Sequence, residues 1–468
     1  MKKLVSVIFT FFLICVANAQ EKAQELSLKE AISFALENSY QAKIAKNDIE
    51  AAKEKVWETT TIGLPQINAK ADYQNFLRQP VSLLPAVAFD NTTSVVETVE
   101  DFFDLTPNST PTAPDGYIPV VFGTKQNINA SVTLTQLLFD GSYLVGLQAS
   151  KTFLKISKQA QEKTAMVTRE AVINAYGNVL VTQKSISILK ENIKILQKSF
   201  RDAQITYENG FNEEEDVEQL EITLGNVKNQ LNNVIRMKGI AYQMLNLSLG
   251  NAIDSALILT DSLDGLVEKN IDLDLIGTAF KFVNHIDFKI SENDRETKRL
   301  MMKLEQSKYL PTLSAFVNYG SQSFSDSFSF FNSDQQWFAS SLLGVSLNVP
   351  IFSSFGRRAK TAQAKIALET ADLRVEEAKK RLSLQAQKAK NEYQLSIQNY
   401  QTSKKNIGLA ERIEKKQRIK FFEGISSSFD LLQAQNQLYT QQQNYIQSML
   451  DVIATKATLE NALNVPIK

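Results

Sequence analysis

The sequence predicts a mainly α-helical chain with a membrane-type β portion, built from one plan used twice: internally duplicated long helical hairpins plus four strands per chain. Three observations predict it. Motifs recur in the same order in both halves, apolar residues step by three and four along stretches far longer than an ordinary globular helix, and segments of about ten residues alternate in polarity.

The recurrence is clearest where a regular helical pattern is interrupted. Residues 205–216 read Ile-Thr-Tyr-Glu-Asn-Gly-Phe-Asn-Glu-Glu-Glu-Asp, and residues 419–430 read Ile-Lys-Phe-Phe-Glu-Gly-Ile-Ser-Ser-Ser-Phe-Asp, an offset of 214. Leu64-Pro65-Gln66-Ile67 returns as Leu310-Pro311-Thr312-Leu313, and Asn38-Ser39 as Asn284-His285, both at 246. The stretch Leu134 to Phe139 corresponds to Leu347 to Phe352 at 213. Two structural repeats are therefore expected, 20–260 and 261–468, each reading helix, strand, loop, strand, long helix, turn, return helix.

The chain begins with Lys2 and Lys3, an apolar run from Leu4 to Val16 and Ala17-Asn18-Ala19, the pattern of a signal peptide over 1–19. That run is shorter than the roughly 20 residues of a spanning helix. Cys15, the sole cysteine, falls inside it, and a lipid-anchor reading of Cys15 is poorly supported by the flanking Phe12 and Ile14. The 51 basic and 51 acidic residues balance, which argues against a nucleic-acid binder.

Helical periodicity runs through Ile186, Leu189, Ile193, Leu196, Phe200, Ala203 and Tyr207, and after the turn through Val217, Leu220, Leu224, Val227, Leu231 and Val234. This is the seam of supercoiled helices. The long helix, 142–207, spans ~100 Å at about 1.5 Å per residue. Helices 28–60 and 214–248 together match its length; 357–422 is the long helix of the second repeat, with 272–308 and 427–463 as its short ones. Four strands are expected at 65–78, 124–139, 311–323 and 338–352, with alternation clearest at Ile128, Ala130, Val132, Leu134 and at Leu343, Val345, Leu347, Val349. Six of the ten prolines fall in the Thr/Ser-rich segment 79–123, which reads as a long exposed loop. Four strands cannot close in lipid, so chains must combine: two give eight strands and a filled interior, three give twelve and a water passage.

Over essentially the whole mature length the chain resembles TolC-like outer membrane efflux proteins. The resemblance is carried by the duplicated plan, the Leu-Pro-x-[Ile/Leu] junctions, Gln136-Leu137-Leu138-Phe139-Asp140-Gly141 with Val349-Pro350-Ile351-Phe352, and the turns Tyr207-x-x-Gly210 and Phe421-x-x-Gly424 leading to Asp216 and Asp430. It implies a homotrimer in outer-membrane lipid, with a twelve-stranded β-barrel above a periplasmic α-barrel. It also implies a periplasmic adaptor (membrane fusion) protein and an inner-membrane pump as partners, in a tripartite efflux or type I secretion system. An exported coiled-coil or adhesin stalk is the rival reading, though it needs no strand pairs.

No phosphate loop, nucleophile motif or metal-ligand cluster is present, so neither catalysis nor a cofactor is expected, and His285, the sole histidine, reads as a packing or surface residue on a helix. The candidate functional residues lie at the turns. Gly210 and Gly424 fit a left-handed helix end. Ser427 and Asp430 fit a helix cap, and the resemblance implies that Asp430 also faces the axis as a ring of three carboxylates. Asp216 is the second gate candidate. Relatives carry a second acid three residues on and a latching tyrosine and arginine; here Gln433, Phe421 and Ser426 stand in those places. Opposite charge on the turns is the expected replacement: Glu213, Glu214 and Glu215 on one, Lys415, Lys416, Arg418 and Lys420 on the other.

Overall fold

The computed structural model describes residues 24–89, 92–104, 115–211 and 213–465. The expected signal peptide lies outside them. In chain order the first half contains β1 (Gln24–Leu26), α1 (Leu28–Asn38), α2 (Tyr40–Thr61), β2 (Gln66–Asn75), β3 (Val81–Pro85), α3 (Thr92–Phe103), β4 (Tyr117–Val121), β5 (Gln126–Asp140), α4 (Gly141–Glu208), α5 (Glu214–Leu249) and β6 (Leu257–Leu259). The second contains α6 (Leu263–Asn270), α7 (Leu273–Gly277), α8 (Ile286–Ser307), β7 (Thr312–Ser325), β8 (Phe338–Asn348), α9 (Gly356–Phe422) and α10 (Ser428–Ala462). Two compact units result, one helical (up to Val56, Gln148–Lys303 and from Ala359 on), the other strand-rich (Trp57–Leu147 and Leu304–Arg358). Each takes segments from both halves of the sequence.

Helix α4 runs 68 residues and α9 runs 67, all but their first few in the helical unit. The heptad pattern becomes a packed seam: Leu189, Leu196 and Ala203 of α4 are buried against Leu220, Leu224 and Val227 of α5, with Ile193, Phe200, Val217, Leu231 and Val234 beside them. Phe421 and Leu431, from the second hairpin, join the same cluster. Apolar residues every three to four positions leave one stripe per helix, and burying that stripe is what holds so long a helix in place.

Two expected helices are interrupted, for a shared reason. The span 28–60 breaks at Ser39, whose extended backbone ends α1 and whose Oγ accepts from the Ala42 N–H at 3.2 Å to start α2. The span 272–308 is replaced by α7, a single turn at Phe282–Asn284 and α8. His285 begins α8 as Ser39 begins α2: it is buried, and its Nδ1 accepts from the Asp287 N–H at 3.1 Å. It therefore precedes the helix rather than riding on it.

The residues that close the return helices match as well. Gly250 (φ 83°) ends α5 and Asn464 (φ 55°) follows α10, both left-handed. Asn464 Oδ1 accepts from the Ile286 N–H at 3.0 Å, and Gly250 lies against Asn38 and Ser39. Each break is thus held by the end of its return helix. Tyr393 holds the α6–α7 break in turn, accepting from the Asp272 N–H at 2.8 Å and donating to the Asn270 carbonyl at 2.6 Å.

In the strand-rich unit the sheet order is β2-β5-β7-β8, antiparallel throughout, with β2 and β8 as edges and a bulge at Leu137/Phe139. Register aligns Ile67, Leu134, Val317 and Leu343 in one row, and all four are exposed. The next row on the other face aligns Asn68, Thr133 and Asn318, where the Asn318 amide donates to Thr133 Oγ1 at 2.7 Å. The sheet is apolar on one face and largely polar on the other. The segment 79–123, expected as a loop, contains a hairpin of β3 and β4 and the helix α3; its prolines did not prevent pairing because Pro85 and Pro119 sit on a short two-stranded ribbon, where each strand has an open edge.

Candidate functional site

Both turns are built by the same hydrogen bonds. At the first, the Phe211 N–H donates to the Thr206 carbonyl and the Gly210 N–H to that of Tyr207; at the second, Ile425 donates to Lys420 and Gly424 to Phe421. These are Schellman closures, and Gly210 (φ 81°) and Gly424 (φ 68°) occupy the left-handed position that a side chain resists. The aromatic residues three positions earlier differ. Phe421 is buried in the seam, whereas Tyr207 is exposed.

The returning helices start differently. Ser427 caps α10: its Oγ accepts from the Asp430 N–H at 3.2 Å, while Asp430 Oδ2 accepts from the Ser427 N–H at 3.2 Å and its hydroxyl at 2.9 Å. Asp430 is half-buried, its carboxylate held in one orientation by the Ser427 N–H and hydroxyl. Glu213 stands at the equivalent start of α5 without a side-chain cap; Glu214, Glu215 and Asp216 fill the first turn, where acids favour the positive helix end.

The two turns lie side by side around an open groove of about 640 Å³. Glu213, Glu215 and Asp216 line it from one side, and Ser426, Ser427 and Phe429 from the other. Asp216 thus faces the second turn, and Asp430 stands just behind its cap.

The expected charge partners are not joined within the chain. Among the described residues, no ion pair links Glu213, Glu214 or Glu215 to Lys415, Lys416, Arg418 or Lys420. Lys415, Lys416 and Lys420 are exposed, and Arg418 reaches Glu414 one turn back at 3.6 Å. Among the described residues, no three His, Cys, Asp or Glu side chains gather to hold a metal ion.

Sequence reasoning missed the polar residues inside the seam near the turns. Glu414 is buried, and desolvation pushes its carboxyl above the usual range, opposed by Arg418. Tyr439 is raised by burial first and by the Glu414 charge second. Gln435 is 2% exposed, and neither of its amide atoms has a partner among the described residues. The signal was a glutamate and a glutamine at helix positions whose neighbours along the stripe are apolar.

His285 gives a pH-dependent prediction. Burial pushes its imidazole below the usual 6.5, against the opposing pull of Asp287. A depressed pKa means stability that is present above about 6.5 and lost as pH falls through the folded value, when the charged ring loses its acceptor nitrogen. His285→Asn, which keeps an acceptor for the Asp287 N–H, is expected to show a smaller fall in melting temperature between pH 7 and pH 5 than the wild type. Equal falls would count against the cap.

The chain matches the family described as outer membrane efflux protein over residues 120–251 and 283–465, more than half its length. No curated protein matches it in sequence. In fold it is similar to the outer membrane protein VceC of Vibrio cholerae (14% identity, TM-score 0.67, 94% of this chain and 97% of that one). It is likewise similar to the CmeC outer membrane channel of Campylobacter jejuni (15%, 0.67, 96% and 90%) and to the open state of the MtrE outer membrane channel of Neisseria gonorrhoeae (15%, 0.68, 94% and 89%).

Proposed function

Because the chain belongs to the outer membrane efflux protein family, we propose that three copies form one channel-tunnel, the exit duct of a tripartite efflux or type I secretion system. The observation that carries this is the four-stranded sheet with two open edges, an exposed apolar row on one face and polar groups on the other. Backbone groups left unpaired in hydrocarbon cost several kcal/mol each, so β2 of one copy must meet β8 of another. Three copies give twelve strands, enough for a water-filled interior bounded by the polar face. A stalk would have no use for such a sheet.

In this reading the helical units of the three copies form the periplasmic duct, and the paired turns form its entrance, where an adaptor and an inner-membrane pump deliver the cargo. Asp430 faces the axis, so three fixed carboxylates ring the opening. The lysines near the second turn face the acidic first turn of a neighbouring copy, each exposed pair contributing ~0.2–1 kcal/mol. The assembly test is the mass of the detergent-extracted protein. A heat-modifiable trimer is expected, and a stable monomer or dimer would refute the proposal.

A further inference from the structure

The two strand-to-helix junctions of the duplicated plan are built differently, and the second is unusual. At the first, between β5 and α4, Asp140 Oδ1 accepts from the Ser142 N–H at 2.6 Å, and the Tyr143 ring packs over Gly63. At the second, between β8 and α9, Ser354 (φ 48°) and Phe355 (φ 61°) are both left-handed, the one place among the described residues where two successive non-glycine residues are so strained. Backbone strain of this kind persists where the surroundings enforce it, and it marks places worth a functional hypothesis.

Its effect here is to set Phe355 edge-on to Phe352, ring centroids 6.0 Å apart, with neither ring covered. Ile351 is 92% exposed, Phe352 74% and Phe355 70%. They extend the exposed apolar face that Leu343, Val345 and Leu347 begin on β8 and Val349 continues just beyond it. Immediately beyond stand Arg357 and Arg358. Arg357 donates to the Pro350 carbonyl at 3.2 Å, tying the helix start to the loop, while Arg358 is exposed. No acidic residue occurs between Asp334 and Glu369.

We propose that residues 351–358 are a docking surface for one anionic phospholipid per chain, with Ile351, Phe352 and Phe355 in the acyl region and Arg358 on the headgroup phosphate. This rests on the barrel reading above. Continuity with the lipid-type face of β8 identifies the occupant as a bilayer lipid, and the exposed guanidinium of Arg358 selects an anionic one. Aromatic rings settle at the lipid–water boundary, and basic residues beside them bind headgroups.

The test is native mass spectrometry and thermal melting of the detergent-purified assembly, with phosphatidylglycerol or phosphatidylcholine added. The wild type should retain phosphatidylglycerol and be stabilised by it more than by phosphatidylcholine. Arg358→Gln should weaken retention about fivefold, the size expected for one cation at a membrane surface, and Arg358→Lys should restore most of it. Phe352→Ser with Phe355→Ser should lower retention of both lipids while the trimer mass stays unchanged.

Equal retention of the two lipids by a wild type that conducts ions overturns the lipid site alone. So does unchanged retention by Arg358→Gln, displacement by inorganic phosphate, or dissociation of the Phe352/Phe355 variant into single chains, which would make the rings a contact between copies. A wild type that neither assembles nor conducts overturns the barrel reading as well.

Discussion

Asp430→Asn is expected to lower the cation preference of the reconstituted channel several-fold and to weaken its block by multivalent cations from the periplasmic side. On the proposed arrangement, three carboxylates around a narrow opening concentrate cations and offer hard oxygen ligands. The change keeps the shape, and asparagine still accepts from Ser427, so α10 should remain capped. If selectivity and block survive while the melting temperature falls, Asp430 is only the acid of a cap. A second arm of the same recording tests the turn charges. Arg418 already serves Glu414, so Lys415→Glu with Lys416→Glu is the cleaner reversal. It should raise single-channel conductance, and unchanged conductance at low salt would sink the idea.

Gly250→Ala should be the most damaging single methyl group in the helical unit. A Cβ there would stand 2.4 Å from the Asn38 carbonyl oxygen and 2.9 Å from Ser39 Cα, both backbone atoms that cannot swing aside. The left-handed φ of 83° adds a cost of about 1–3 kcal/mol. A melting temperature lower by several degrees is expected, together with faster hydrogen exchange at the start of α2. Gly225→Ala is the control, because nothing lies within 4 Å of its added Cβ, and it should be neutral or stabilising. Equal effects at the two sites would refute the close approach.

What was legible in the sequence follows from the range of the forces involved. The α4–α5 seam could be read because each of its residues reports its own burial through a local period: Leu189, Leu196, Leu220 and Leu224 are all buried. The turn glycines could be read because a left-handed residue is a local demand. The breaks at Ser39 and His285 could not, since what enforces them is the end of a return helix far along the chain. The matched pair Asn38-Ser39 and Asn284-His285 was visible, but its meaning as a helix start needed the partners. Glu414 and Gln435 were hidden for the opposite reason: polar residues on a helix normally face water, and only packing shows that these do not. The strained pair Ser354 and Phe355 carries no glycine to announce it.

The strand pairing sets an order of events during biogenesis. Gln126 pairs with Ser325 and Asp140 with Thr312, so all of α4, α5 and α8 is threaded between the two central strands. The α4–α5 hairpin closes through contacts between neighbours along the chain, which form quickly, whereas β5 must wait for β7 to cross the inner membrane. During that wait β5 has no sheet partner on the β7 side, and Val132 and Leu134 face water. Helical contacts between α4 and α5 are therefore made first and the central strand pair later, and lipid insertion, which requires a sheet without open edges, can only follow export of β8.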